Sequence, residues 1–368
     1  MISRTSIYVA AGRAVGAREP DPSVRNPDHL AEALLGEPSA LGVDHPVVRA
    51  LSLPYDEAMQ DFDVVTSVRM MMVRTRFIDN ALARAIESGI GQVVILGAGF
   101  DSHAYRFQAL LADARVFEVD RPDTQALKRT RVREALGDPP ANLTYVPIDI
   151  QHESLPEVLA RHAHDHTRRT FFILEGVTMY LPEAAVRSTL QFIGGQPAGS
   201  VVVFDFVFSA LIEMIARIDI KAVPESNRAW VQRFLDLIKY EPWIFGLPMG
   251  SEREFLAEFG LEPRELFAIS GDDSLTRYLT KDDGTVVGAA VIAEATARMS
   301  QAAPQDPERA RQMQRMMSYQ LTEAVRVGPV TQTAPGYFGG AGTGTVPAAS
   351  GQLPSYGGQF GTASSGAG

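Results

Sequence analysis

Short unbroken apolar runs alternate with amphipathic stretches through the middle of the chain. The first run, Val93-Val94-Ile95-Leu96, is four branched or aliphatic residues in a row, as a strand buried on both faces of a parallel sheet requires. Similar runs at 115–120, 142–149, 170–175 and 200–205 predict four more strands. Between them, helices are expected over 102–111, over 122–136 with Pro122 in its first turn, and from Pro182-Glu183 onward with Val186, Leu190 and Ile193 facing inward. Ahead of the first strand, residues 55–88 read as one long helix with an apolar stripe through Phe62, Val65, Val68, Met72, Ile78, Leu82 and Ile86. Before that, prolines at 20, 22, 27, 38 and 46 divide the chain into short pieces, with helices predicted over 6–15 and 28–35, the latter capped by Asp28. Strands alternating with helices predict an α/β, doubly wound sheet.

Later segments have a different texture. Residues 207–250, rich in Phe, Trp, Ile and Met, read as a helical cap inserted after the fifth strand. Ser251-Glu252-Arg253-Glu254 has the form of a capping box opening a short helix, and 262–268 with 285–295 are expected to make a final strand pair. Asp306-Pro307-Glu308 predicts a further helix, with Met313, Met317, Leu321 and Ala324 on one face, docked on the body or on a second subunit, so a homodimer is admitted. Residues 328–368 contain no charge and are dominated by Gly, Ala, Ser, Thr and Pro, too little apolar area to offset the entropy of ordering, so a disordered spacer is expected there.

The chemistry concentrates after the first strand. Gly97 and Gly99 permit a sharp turn and close approach to a ligand, and Asp101 or Ser102 can cap the helix that follows. A dinucleotide fingerprint wants a third glycine where Ser102 stands, which leaves room for a nucleoside without a diphosphate. Asp120, Asp149, Glu175 and Asp205 end the next four strands, where ligands of open α/β sheets sit; Asp120 falls at the distance from the glycines that suits a ribose.

These motifs carry a resemblance. Val94-Ile-Leu-Gly-Ala-Gly-Phe-Asp-Ser-His-Ala-Tyr-Arg106, Phe117-Glu-Val-Asp-Arg-Pro122, Leu174-Glu-Gly-Val-Thr-Met-Tyr-Leu-Pro182 and Arg74-Thr-Arg-Phe-Ile-Asp79 resemble the leucine carboxyl methyltransferase-like family of S-adenosylmethionine-dependent O-methyltransferases, in its bacterial, polyketide carboxyl methyltransferase-like branch. Val9-Ala-Ala-Gly-Arg-Ala14 and Asp21-Pro22 also fit, while Asn26-Pro27-Asp28 departs from the usual Asp-Pro-aromatic. The resemblance implies a class I methyltransferase (Rossmann-like) fold, mostly parallel with a terminal antiparallel strand. The resemblance covers about the first 300 residues and implies a methyltransferase domain over 1–300 with an N-terminal helical lid over 1–90; the C-terminal helix over 301–327 and the tail are read from the residues themselves. It implies S-adenosyl-L-methionine as cofactor, held by Arg74, Gly97, Ala98, Gly99, Asp101, Asp120, Asp149, Ile150 and Glu175, with Arg74 and Tyr180 as the catalytic pair that orients groups around the methyl. Arg69 and Arg76, by contrast, read as solvated or surface-paired, and His103 as a helix-surface or capping residue.

Composition narrows the partners. The 368 residues carry a formal net charge of −10, which speaks against nucleic acid, and no cysteine, which removes thiolate and disulfide chemistry. His152, His162, His164 and His166 lie in a basic connecting stretch and read as solvated, with no metal. No signal peptide or membrane-spanning run is apparent, so a cytoplasmic protein is the expectation; the resemblance implies a small-molecule carboxylic acid or polyketide-like acceptor. Two other readings stand beside it: an NAD(P)-dependent oxidoreductase, and a silent S-adenosylmethionine-binding protein that acts through its tail.

Overall fold

The computed structural model describes residues 3–37, 42–150, 152–223, 225–288, 312 and 315–328. The chain begins with α1 (Arg4–Gly16), α2 (Ala31–Leu35), α3 (Pro46–Arg49), α4 (Tyr55–Ala58) and α5 (Phe62–Glu87). The long helix expected over 55–88 is broken at 59–61, where the Asp61 carboxylate accepts from the Asp63 and Val64 N–H groups and caps a new start. Then follow β1 (Gln92–Leu96), α6 (His103–Arg106), β2 (Arg115–Asp120), α7 (Pro122–Leu136), β3 (Leu143–Pro147), α8 (Leu155–Arg161), β4 (Thr170–Leu174), α9 (Glu183–Gly194) and β5 (Val201–Phe206). The cap supplies α10 (Ser209–Ala216) and α11 (Glu225–Tyr240), and the last part α12 (Glu252–Ala257), β6 (Leu261–Ala268), α13 (Asp272–Tyr278) and β7 (Gln320–Arg326).

The sheet runs β3-β2-β1-β4-β5-β7-β6, with β1 to β5 parallel and β7 antiparallel to both neighbours. This is the doubly wound, Rossmann-like sheet that the strand–helix alternation predicts. Side chains alternate across it: Val93 and Ile95 join one apolar cluster with α1 and α5, while Val94 and Leu96 join a second with α8, α9 and α12. Strand order reverses between β1 and β4, and the crevice beyond their carboxyl ends is where such sheets bind ligands.

α1 lies close on α5 because its inner face is Ala-Ala-Gly-x-Ala-x-Gly. A Cβ on Gly12 would come within 3.1 Å of Met71 Cγ, and one on Gly16 within 3.3 Å of Met72 Cγ and Val68 Cγ1. That contact brings the N-terminal segment to the mouth of the crevice.

Several expectations are corrected. Residues 320–326 are a strand between β5 and β6, not the end of a helix from 306; helical geometry is limited, among the described residues there, to 312 and 315–317. The partner of β6 is therefore β7 rather than 285–295; Val286 makes an isolated bridge with Thr280 and 289–295 lie outside the described residues, as do 301–311 and the tail from 329. The helix of 102–111 is only α6, and Asp28 caps nothing: α2 starts after Leu30. The capping box at 251–254 is not formed, since the Ser251 hydroxyl donates back to the Pro248 carbonyl.

Candidate functional site

β1 delivers the chain to a bend in which Gly97 and Gly99 both take left-handed φ, +65° and +39°. At Gly97 a Cβ would also sit 2.5 Å from Val177 Cγ2, so conformation and space both demand glycine. The Gly97 and Ala98 N–H groups donate to the Val119 carbonyl at 2.8 and 3.1 Å, tying the bend to the end of β2. The Gly99 N–H donates to Asp120 Oδ2 at 2.5 Å, and the Arg121 N–H to Oδ1 at 2.6 Å. Burial pushes the Asp120 carboxyl up from its ordinary value, these two donors and Lys128 opposing it only in part. Beneath the bend, buried Lys128 pairs with Glu118 at 2.8 Å and reaches the Ala98 carbonyl at 3.4 Å. Burial raises Glu118 to about 7 in spite of Lys128.

After the bend, Asp101 Oδ1 accepts from the His103 N–H at 2.8 Å, so the start of α6 is already met by a carboxylate of the chain itself. Ser102, in the third-glycine position, donates to Asp28 Oδ1 at 2.6 Å and accepts from Arg106 Nε at 2.7 Å. It fastens the N-terminal segment to the bend.

Around these residues lies a buried charge network. Arg74 meets Glu175 Oε1 at 2.7 Å and Asp205 Oδ2 at 3.0 Å. Arg13 meets the same Glu175 oxygen at 3.2 Å, Asp28 Oδ2 at 3.0 Å and the Phe100 carbonyl at 2.8 Å. Arg106 grips both Asp79 oxygens at 2.8 Å, while His103 lies between Asp101, 2.6 Å from Nδ1, and Asp79, 3.0 Å from Nε2. Burial would discharge His103, but the Asp101 carboxylate overrides it and raises the imidazole to about 9. Burial likewise works against ionised Asp79, and Arg106 with His103 holds it down at about 2. Asp205 goes the other way: burial lifts it to about 6 although Arg74 and the Gly176 N–H both favour its anion.

One cavity of about 830 Å³ opens at this end of the sheet. All ten residues expected to bind or act line it: Arg74, Gly97, Ala98, Gly99, Asp101, Asp120, Asp149, Ile150, Glu175 and Tyr180. Its far end is closed by the cap, where Met214 and Ile215 of α10 and Trp230, Val231 and Phe234 of α11 face it together with Trp243. Three tyrosines meet there. The Tyr8 hydroxyl is 2.5 Å from Ser67 Oγ; burial pushes Tyr8 up to about 12, Tyr180 up, and Tyr319 far up, so all three are protonated donors. His45 also lines the cavity, but its Nδ1 accepts from the Val47 N–H at 3.3 Å, and burial holds it down at about 4. Of the acids at that end, Asp63 meets Arg233 at 2.5 Å and Glu241 accepts from the Thr5 N–H at 2.8 Å.

Arg13, Asp28, Asp79, His103 and Arg106 are network members to which sequence reasoning gave no place in the site, and Asp205 it placed only as the acid ending the fifth strand. Asp205 had a visible signal, a charge inside Val-Val-Val-Phe-Asp-Phe, and so had Arg13 within an Ala-rich run. His103 is buried, not at a helix surface, and Arg69 is buried on Glu19 at 3.0 Å rather than solvated. His164 is buried too, among Phe117, Phe172 and Phe192. Among the described residues no group of three or more His, Asp or Glu side chains is arranged for a metal, and no helix is long and apolar enough to cross a membrane.

Similarity to known proteins follows the same residues. A family model for leucine carboxyl methyltransferase matches residues 6–194. A relative from Mycolicibacterium gilvum is 35% identical over 198 residues, 50% of this chain and 59% of its own length. One from Frankia alni is 35% identical over 196 residues, 53% of this chain and 64% of its own. One from Streptomyces coelicolor is 35% identical over 234 residues, 63% of this chain and 78% of its own. All three bear the provisional name of S-adenosyl-L-methionine-dependent methyltransferases. The chain thus spans less than two thirds of the first two relatives.

Proposed function

Because the chain belongs to the leucine carboxyl methyltransferase family, we propose that it is an S-adenosylmethionine-dependent O-methyltransferase that forms a methyl ester on a small-molecule carboxylic acid. The residues present fit the cofactor. Gly97, Ala98 and Gly99 line the cavity, and the left-handed φ of the two glycines brings the backbone of the bend to its wall. Asp120 keeps acceptor capacity for ribose hydroxyls at the end of β2. Asp149 and Ile150 flank the adjoining wall, and Arg13, Arg74 and Glu175 offer charge for the zwitterionic end of a methionine. The start of α6, where a diphosphate would sit, is taken by Asp101, which disfavours a dinucleotide and hence the oxidoreductase reading.

When bound, S-adenosylmethionine would supply the methyl from its sulfonium sulfur, which would depart as a neutral thioether with no need of a proton. The chain's own part is to hold and dry the acceptor. The observation that carries the ester reading is the poverty of bases beside protonated donors at the far end: Tyr180 and Tyr319 near Arg74, Tyr8 donating to Ser67, a histidine with its acceptor nitrogen occupied, and acids already engaged. A carboxylate is ionised at neutral pH and needs donors to orient it, not a base. Tyr180 and Arg74 are assigned that orienting role. The apolar cap walls exclude water and favour an acceptor with an apolar body.

The test is transfer of an isotope-labelled methyl to a panel of apolar acids and the matching alcohols. A product whose label is released as methanol by mild alkali supports the ester. An alkali-stable product overturns the ester but leaves methyl transfer standing, and absence of cofactor binding by calorimetry overturns both.

A further inference from the structure

The residues on the wall of the main cavity that are also exposed fall into two groups. Gly97, Arg121 and Asp149 flank Asp120 and its proposed ribose contact. Tyr240, Pro242 and Ile244 make up the other group, where the chain leaves α11. Resting on the ester reading above, we propose that the acceptor is a long-chain, fatty-acid-like carboxylic acid whose apolar end leaves the cavity over this second group, a lip separate from the opening on the cofactor's side.

Tyr240 is 61% exposed and Ile244 55%. Scattered exposed apolar residues are ordinary in folded proteins, but these two stand in one short segment on the rim of a cavity. The segment is fixed from both sides. The Thr5 N–H donates to Glu241 Oε2 at 2.8 Å, and the Ile244 N–H donates to the Met179 carbonyl at 2.8 Å. The Arg4 guanidinium lies 4.3 Å from the centre of the Tyr240 ring. With its backbone tied in this way, the lip is a standing feature of the fold.

Between the two exposed side chains, Trp243 turns inward. It is buried, lines the cavity, and packs edge-on against Phe234 at 5.6 Å and Tyr319 at 5.4 Å. Met179, which holds Ile244, adjoins Tyr180, the residue assigned to the acceptor's carboxylate. An apolar path therefore runs from Tyr180 past Trp243 to the lip. The other opening offers the charged side chains of Arg121 and Asp149, which suit a nucleoside and would be desolvated at a cost by an alkyl chain. A short acid ends inside the cavity, and only a longer one covers Tyr240 and Ile244.

Trp230 and Trp243, the two tryptophans of the chain, both line the cavity, so their fluorescence reports its occupancy. The full-length protein, saturated with S-adenosylhomocysteine, is titrated with hexanoate, decanoate and tetradecanoate, each below its micellar concentration. Affinity should rise along the series, with tetradecanoate about tenfold tighter than decanoate, as burial of further methylenes implies. Tyr240→Ser and Ile244→Ser, at exposed positions and with folding verified by circular dichroism, should each weaken tetradecanoate about fivefold and hexanoate less than about twofold. No saturable binding of tetradecanoate, affinity that levels off by decanoate, or an equal loss for the short and the long acid overturns the lip. 1-Tetradecanol separates this result from the ester reading: if it binds as tightly as tetradecanoate and is as sensitive to the two variants, the carboxylate falls and the lip stands. If calorimetry detects no S-adenosylhomocysteine binding, methyl transfer falls, and the same series on the unliganded protein still decides the lip.

Discussion

The Gly99 N–H donates to the Asp120 carboxylate, so the bend that follows β1 and the acid that ends β2 are one unit rather than two neighbouring features. Asp120→Ala removes the acceptor of two backbone N–H groups and the proposed ribose contact together. Affinity for S-adenosylmethionine should fall about tenfold to a hundredfold, and stability by roughly 1–3 kcal/mol. Calorimetry and urea unfolding measure the two effects; unchanged affinity would remove the ribose assignment.

Gly97→Ala is expected to destabilise the fold by about 2–4 kcal/mol, since the new methyl strikes Val177 and the residue must hold φ near +65°. Adding Val177→Ala should recover only the steric part, leaving the backbone strain. A full recovery in denaturant midpoints would contradict the conformational argument.

His103 gives the fold a pH dependence of defined sign. Its folded value of about 9 lies above the ordinary 6.5, so the protonated ring contributes in full below 6.5 and that stability is lost as pH rises through 9. Asp79 acts at the opposite end: held at about 2, it contributes above its ordinary 3.8 and loses that as pH falls through 2. Melting curves should therefore decline between pH 7 and pH 9 in the wild type and much less in His103→Gln.

Arg74 stands between two buried carboxylates. Arg74→Gln should cost about 3–5 kcal/mol, as expected when one partner of a buried ion pair is removed. Pairing it with Asp205→Asn should restore part of the stability without restoring methyl transfer. Recovery of transfer in the double variant would show that the guanidinium has no role with ligand.

Ser102→Gly completes the dinucleotide spacing yet should gain no affinity for NADH, because the Asp101 carboxylate still occupies the His103 N–H at the start of α6. It should instead loosen the N-terminal segment by cutting the Asp28 and Arg106 hydrogen bonds, seen as faster amide exchange over 4–16. NADH fluorescence titration checks the first half.

The strands β1 to β5 and helices α7 and α9 were legible because their signals are local: apolar runs, Pro at a first turn, apolar periodicity. β7 was not, since Met317, Leu321 and Ala324 satisfy a helical period, and what decides 320–326 is pairing with β5 and β6 on both sides. The ten predicted site residues share one cavity because their motifs sit at strand ends and bends, whose position follows from topology. The network was hidden for the converse reason. Arg13 and Glu175, or Arg74 and Asp205, are more than a hundred residues apart, and no local pattern announces such partners.

β7 also has a bearing on biogenesis. The strand synthesised last among those of the sheet is not laid at its border but wedged between two that already exist. Until residue 326 has left the ribosome, β5 presents a bare edge and β6 has no neighbour, both open to mispairing with other chains. A translation product halted upstream of 320 would thus retain the glycine bend and Asp120 yet be prone to aggregate.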